Sequence, residues 1–218
     1  MALELRVRYC LSNVLQLRES NIIQRPKGSN TKFKRSALVV LQRQWLQPMK
    51  SIGLLSDTHG WLDEKLATHF SACDEIWHAG DFGPADVVAQ LRSWGKPLRG
   101  VWGNIDGGPV RYDFPETAVF MVEGVKVAMK HIGGYPGRYA PGVKAWLQAE
   151  KPRLFISGHS HILKAQYDPV LQCLHLNPGA AGRHGWHQVR TAMRFVIDGE
   201  NIRDLEVIEL GKRSALGS

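Results

Sequence analysis

Five short motifs carry side chains able to bind metal ions. They are Asp57-Thr58-His59, Gly80-Asp81, Gly103-Asn104-Ile105-Asp106, Lys130-His131 and Gly158-His159-Ser160-His161. Together Asp57, His59, Asp81, Asn104, His131, His159 and His161 offer two carboxylates, one amide and four imidazoles. One ion takes about four to six such donors, so this set points to two ions sharing a bridge. Mixed nitrogen and oxygen donors without sulfur suit Mn²⁺ best, with Fe, Zn²⁺, Co²⁺ or Ni²⁺ as substitutes, rather than Mg²⁺ or Ca²⁺. Two divalent cations bring four positive charges, and two carboxylates with a bridging hydroxide return three. The remaining positive charge fits an anionic phosphate. Paired ions clamp phosphate oxygens and deliver a hydroxide of low pKa for in-line attack.

Each motif must sit where the others can reach it. Short apolar runs precede most of them: Ser51–Ser56, Glu75–Ala79, Leu98–Trp102, Lys126–Lys130 and Leu154–Ser157 read as strands. Helical spacing marks Trp61–Ser71, Ala85–Trp94 and Pro141–Ala149. The order is β-α-β-α-β, so parallel strands with right-handed crossovers are expected, their C-terminal ends on one rim. Residues at i and i+2 of an extended segment face one way, so Asp57 with His59, and His159 with His161, each present two donors to one volume. Thr117–Val122 and Lys126–Lys130 form a hairpin pattern. Ala165–Tyr167 with Gln172–Leu176, and Met193–Ile197 with Asp204–Ile208, form two more strand pairs. A mixed α/β protein with two packed sheets and helices outside is expected.

The ordered set of D-x-H, G-D, G-N-x-D, H and G-H-x-H, followed by Asn177-Pro178-Gly179-Ala180, resembles the calcineurin-like metallophosphoesterases over residues 50–210. Within them it is most similar to the small prokaryotic phosphodiesterases, the branch that also holds a retromer subunit. The resemblance implies a four-layer α-β-β-α sandwich. It implies one ion on Asp57, His59, Asp81 and His161 and another on Asp81, Asn104, His131 and His159, with Asp81 as the bridge. It also implies a cytoplasmic bacterial enzyme, a dinuclear phosphoesterase of phosphodiesterase type, acting on a small phosphate ester. Many relatives carry His, and several Cys, directly after the metal-binding Asn; this chain has Ile105. A His there protonates the leaving group and Ile cannot, so esters with good leaving groups, such as aryl esters, are the expected substrates. Asp106 fits the G-N-x-D acid of the resemblance or a loop-ordering role. The rival reading is a catalytically weak scaffold that binds a protein partner; the full ligand set favours the enzyme.

Other residues invite a role. His184 and His187 lie in a glycine-containing loop able to border the site, with Arg183 or Arg190 reaching phosphate. The glycine-rich stretch from Gly133 to Tyr139 reads as a flexible lip on which Tyr135 or Tyr139 could stack. His78 and His175 sit inside strand patterns and read as packing residues.

The 218 residues carry a formal net charge of +8. Nine of the 28 basic and two of the 20 acidic residues fall in residues 1–48, leaving 19 against 18 elsewhere. The body is therefore near neutral and lacks the footprint of a polyanion binder, so nucleic acid is not an expected partner. Residues 1–48 read as a basic, disordered extension or the product of a start codon placed too early, 49–210 as the domain, and 211–218 as a polar tail. Three cysteines, Cys10, Cys73 and Cys173, form no C-x-x-C pair and read as reduced. No apolar run approaches the roughly 18 residues of a membrane span.

Overall fold

A computed structural model describes residues 49–213. The extension expected over 1–48 and Cys10 lie outside the described residues. In chain order the elements are β1 (Lys50–Leu55), α1 (Lys65–His69), β2 (Glu75–His78), α2 (Ala85–Ser93), β3 (Leu98–Gly100) and α3 (Gly108–Asp113). Then come β4 (Thr117–Val122), β5 (Val125–Lys130), β6 (Gly134–Tyr135), β7 (Arg138–Tyr139), α4 (Val143–Glu150) and β8 (Leu154–Ile156). The last are β9 (Leu163–Asp168), β10 (Cys173–Pro178), β11 (Val189–Asp198) and β12 (Asn201–Lys212).

Two five-stranded mixed sheets result, in the orders β12-β11-β1-β2-β3 and β4-β5-β8-β10-β9. In the first, β1, β2 and β3 run parallel; in the second, β5, β8 and β10 do. Alternation along each strand sorts its side chains between layers. Ile52, Leu54 and Trp77 face inward and meet Val127, Met129, Leu154, Ile156 and Leu176 of the second sheet. Leu55 and Ile76 face outward and pack under Leu66, Val87, Val88 and Leu91 of α1 and α2. On the far side, Ala128, Phe155 and Cys173 pack against Val143 and Leu147 of α4. The layers are thus helices, sheet, sheet and helix, the sandwich that was expected. No helix among the described residues is long and apolar enough to cross a membrane.

Four elements differ from the sequence expectation. Helix α1 occupies only five of the residues expected from Trp61 to Ser71. Residues before it are used in turns: Trp61 N donates to Thr58 O, and Asp63 Oδ1 accepts from Lys65 N. At the other end the ring of Phe70 lies where a side chain on Gly53 would be, so only glycine in β1 lets α1 approach. Helix α3 has one buried side chain, Val110, and so shows no apolar period to read. Strands β11 and β12 run to ten and twelve residues, beyond the expected Met193–Ile197 and Asp204–Ile208, and register shifts at Arg190/Thr191 and Arg194/Val196 break the alternation that would announce their full length. Consequently β12 reaches Lys212, past the expected start of the tail at Gly211.

One buried ion pair fastens the start of α1 to β11. Arg190 Nη1 donates to Asp63 Oδ2 at 2.6 Å, Nη2 to Leu210 O at 2.6 Å, and Nε to Lys212 O at 3.3 Å. Arg190→Met should therefore deprive one carboxylate oxygen and two carbonyls of their guanidinium partner and lose about 3–5 kcal/mol in urea unfolding. Arg153→Ala, which removes only the exposed pair with Glu200, should lose less than about 1 kcal/mol.

Candidate metal centre

The parallel strands end on one rim, and the motif residues follow those ends. Asp57 comes after β1, Asp81 after β2, Asn104 after β3, His131 after β5 and His159 after β8. Beyond the strands the backbone ladder continues. Asp57 N donates to Gly80 O, His59 N to Asp81 O and Gly60 N to Phe82 O, so the first two loops run side by side. Gly158 N donates to His131 O, which joins the two loops of the second sheet. Between the sheets, Asp57 Oδ2 accepts from His159 N at 3.1 Å, and within the first sheet's rim Asp81 Oδ1 accepts from Ile105 N at 3.1 Å.

Two groups of donors result: Asp57, His59 and His161, and Asp81, His131 and His159. His161 Nε2 lies 3.2 Å from Asp57 Oδ1 and 3.3 Å from His59 Nε2. Asp81 Oδ2 faces both groups, 3.2 Å from His131 Nε2 and 3.6 Å from His59 Nε2. Donors at about 2.1 Å from a shared ion lie roughly 3–3.4 Å apart, so this spacing fits metal coordination. Two buried atoms inside the cluster, Asp57 Oδ1 and His131 Nε2, have no hydrogen-bond partner. Buried polar atoms are rarely left so, and a cation supplies what both lack. The imidazole of His131 is already set for it: its Nδ1 faces the carbonyl of Ala79 at 2.8 Å. A carbonyl only accepts, so the proton is on Nδ1 and the Nε2 lone pair is free.

The backbone is strained at the same residues. Asp57, His59, Asp81, His159 and His161 all have φ between 47° and 65°. They are five of the nine non-glycine residues with positive φ among the described residues. Such conformations cost of order 1–3 kcal/mol each and persist only where the surroundings impose them. At His159 and His161 the positive φ also means that the motif is not a plain extended segment. The two imidazoles are parted between the two groups instead of sharing one volume.

Electrostatics follows from the crowding. Burial pushes the Asp81 carboxyl up, but His131, Ile105 N–H and His59 outweigh it and hold Asp81 below the usual carboxylate range. Burial pushes His131 down, yet the carboxylates of Asp81 and Asp57 raise it above the ordinary histidine value. His59 and His159 are lowered, chiefly by burial. The Asp81 carboxylate is thus kept ionised, the form a cation needs.

The remaining sequence-predicted residues divide. Asn104 is exposed in the turn after β3, beside the Ile105 amide that binds Asp81. Ile105 itself is 45% exposed, so an aliphatic surface stands where a proton donor was sought. Asp106 takes the loop-ordering role: Oδ1 accepts from Gly83 N at 2.8 Å and Oδ2 from Gly103 N at 2.7 Å. With both oxygens engaged by amides, it clamps the second loop to the third. His184 and His187 do border the cluster, their rings 5.0 Å from His59 and 5.3 Å from His161. Arg190 does not reach it, being held by Asp63, and Arg183 stacks on Trp61 at 3.9 Å. The glycine-rich stretch after His131 is no loose lip: β6 and β7 pair within it, and Tyr139 donates to Asp168 at 2.6 Å.

His78 does more than pack. Its Nδ1 accepts from Gly80 N at 3.1 Å, so its Nε2 donates to Thr58 Oγ1 at 3.0 Å, which donates on to Phe82 O at 3.0 Å. Burial, then the neighbouring His131, holds it well below the ordinary histidine value, and it stays neutral. Thr58, between Asp57 and His59, is thereby hooked into the interior. The sequence signal was a histidine three residues before Asp81, at the end of the strand and directly after Ile76-Trp77.

The conserved-domain profile of the calcineurin-like phosphoesterase superfamily matches residues 49–200. The chain belongs to the calcineurin-like phosphoesterase superfamily. Three solved structures are similar in fold. A Thermotoga maritima protein is 28% identical with a TM-score of 0.56, covering 74% of this chain and 99% of its own. An archaeal phosphodiesterase is 19% identical with a TM-score of 0.58, covering 72% and 99%. Vps29 from Entamoeba histolytica, solved with Zn²⁺, is 16% identical with a TM-score of 0.57, covering 73% and 98%. No curated protein matches the sequence.

The orphaned atoms make a measurable statement. Adding Mn²⁺ to chelator-stripped protein should raise its melting temperature, by the equivalent of about 2.7 kcal/mol at 100 times the dissociation constant. His131→Gln should lose most of that rise in a thermal melt.

Proposed function

We propose that this calcineurin-like phosphoesterase is a dinuclear metal-dependent hydrolase of phosphate esters, of phosphodiesterase type. The observation that carries the reading is the pair of donor groups meeting at Asp81, with Asp57 Oδ1 and His131 Nε2 left for a cation. Asp57, His59, Asp81 and His161 would hold one ion and Asp81, Asn104, His131 and His159 the other. Divalent ions bound there supply Lewis acidity and an activated water for attack at phosphorus. The donor types favour Mn²⁺, with Fe, Zn²⁺, Co²⁺ and Ni²⁺ also compatible.

The chain's own part is placement. Asp57 and Asp81 return only two negative charges to two divalent ions, so the centre attracts an anionic ester. The amides of His159 and Ile105 fix each carboxylate by one oxygen and leave the other facing the cluster. Ile105 holds no proton for a departing alcohol, so turnover favours leaving groups that depart as stable anions. The substrate is a small phosphate ester.

Bis-p-nitrophenyl phosphate with Mn²⁺ tests this directly. Hydrolysis should appear with the metal and vanish with chelator. Asp81→Asn, which weakens both donor groups, should lower kcat/KM more than about 100-fold, and His187→Ala less than about tenfold. Equal small losses, or no metal-dependent turnover, would leave the protein-binding scaffold as the better reading.

A further inference from the structure

The loop from Gly182 to His187 is pinned against the metal donors. A side chain on Gly185 would overlap His161 Nδ1. The rings of His184 and His187 pack on those of His59 and His161 at 5.0 Å and 5.3 Å. His187 Nε2 donates to Gly182 O at 3.1 Å, which closes the loop on itself. Trp186 stands between these anchors and is 99% exposed. A large apolar ring is thus left open to solvent while the residues on both sides of it are held.

Beside it opens a groove of about 310 Å³, lined by Trp186, His187, Gln188, Val189, Lys212 and Arg213. That is the space of roughly ten waters, enough for a ring system with a sugar. The start of β11 and the end of β12 frame it: Val189 pairs with Lys212, and Arg213 N donates to Gln188 O at 2.9 Å. Arg213 Nε donates to His187 O at 3.0 Å. This bond fixes the guanidinium and leaves both Nη groups without a described acceptor. Lys212 adds a second cation, and no carboxylate lines the groove. His187 forms one wall and touches His161, so the groove begins one imidazole away from a metal donor.

We propose that this groove receives the organic part of the ester, and that the ester is nucleotide-like: a planar ring stacks on Trp186, and a second anionic group is held by the Nη pair of Arg213. An exposed indole stacks on any base, because every base has a π-face. A guanidinium takes two phosphate oxygens at once, which an ammonium does not. The near-neutral body offers no track for a polymer, so the nucleotide is a small one. The inference rests on the phosphoesterase reading for the bond attacked and adds the class of molecule.

Binding can be read without catalysis. Adenosine 5′-monophosphate is titrated by calorimetry into the full-length protein in excess chelator. Without metal, the carboxylates of Asp57 and Asp81 repel phosphate, so the groove accounts for what binds. Saturable binding is expected, with adenosine and ribose 5-phosphate each binding more weakly. Trp186→Ala should raise the dissociation constant at least about fivefold, and Arg213→Gln at least about tenfold. A thermal melt shows that each variant is folded. No saturation by about 10 mM, or a dissociation constant that either variant leaves unchanged, overturns the proposal. A second arm uses turnover with Mn²⁺. Thymidine 5′-p-nitrophenyl phosphate bearing a 3′-phosphate should show a lower KM than the same ester without it, and Arg213→Gln should abolish the difference. Equal KM values for the two esters in the unaltered protein also overturn the proposal. Failure of both esters and of bis-p-nitrophenyl phosphate to turn over counts against the phosphoesterase reading alone, since the first arm needs neither metal nor reaction.

Discussion

Two buried carboxylates, Asp57 and Asp81, point into the same small space, and most of the loop structure serves to keep them there. Neighbouring like charges in a buried site repel, and each carboxylate loses hydration on burial. Backbone amides offset part of that cost, one from His159 on Asp57 and one from Ile105 on Asp81. Imidazoles around the pair offset a further part, which is why His131 is raised despite its burial. What amides and neutral imidazoles do not cancel is the charge itself. The unpartnered Asp57 Oδ1 and His131 Nε2 mark where positive charge is missing.

The strain in the loops follows from the same constraint. Five of the donors sit at positive φ, and the energy for that has to come from elsewhere in the fold. The parallel strands provide it. Each loop leaves a strand buried on both faces, and the ladder of hydrogen bonds runs past the strand ends into the loops, from Asp57–Gly80 to Gly60–Phe82. The Thr58–His78 hook and the Asp106 clamp then fix the loops from below. Close packing leaves no slack: a side chain on Gly103 would overlap Asp81, and one on Gly80 would overlap His131. Glycine is needed there for approach as much as for conformation.

This division explains what the sequence discloses and what it conceals. The inter-sheet core was legible because Ile52, Leu54, Val127, Met129, Leu154 and Ile156 fall in short apolar runs that only buried strands produce. Helix α2 was legible from the spacing of Val87, Val88 and Leu91, whereas α3, with Val110 alone buried, had no period to show. The donor set was legible because residue type and strand end coincide five times. The support beneath it was not. His78 looks like a core residue, and nothing in its neighbours states that its two nitrogens link Gly80 to Thr58. Asp106 offered two roles in sequence, and only the positions of the Gly83 and Gly103 amides decide for the clamp. Arg190 and Asp63 are 127 residues apart, and a long-range ion pair leaves no local pattern.

The rim is a different matter from the cradle. Loops tied by strands, clamps and close glycines have little room to move, and they hold the donors of the cluster. Around them stand the side chain of Ile105, whose amide alone fixes Asp81, the segment with His184, Trp186 and His187, and the β6–β7 ribbon. Trp186 is 99% exposed and Ile105 45% exposed, so packing does not dictate either identity. Residues free of packing constraints beside a rigid cluster are where substrate choice is set. On the proposed function, the aliphatic Ile105 restricts turnover to leaving groups that depart without a proton from this position. On the same reading, the cradle determines which bond is attacked, and the rim residues determine on which molecule.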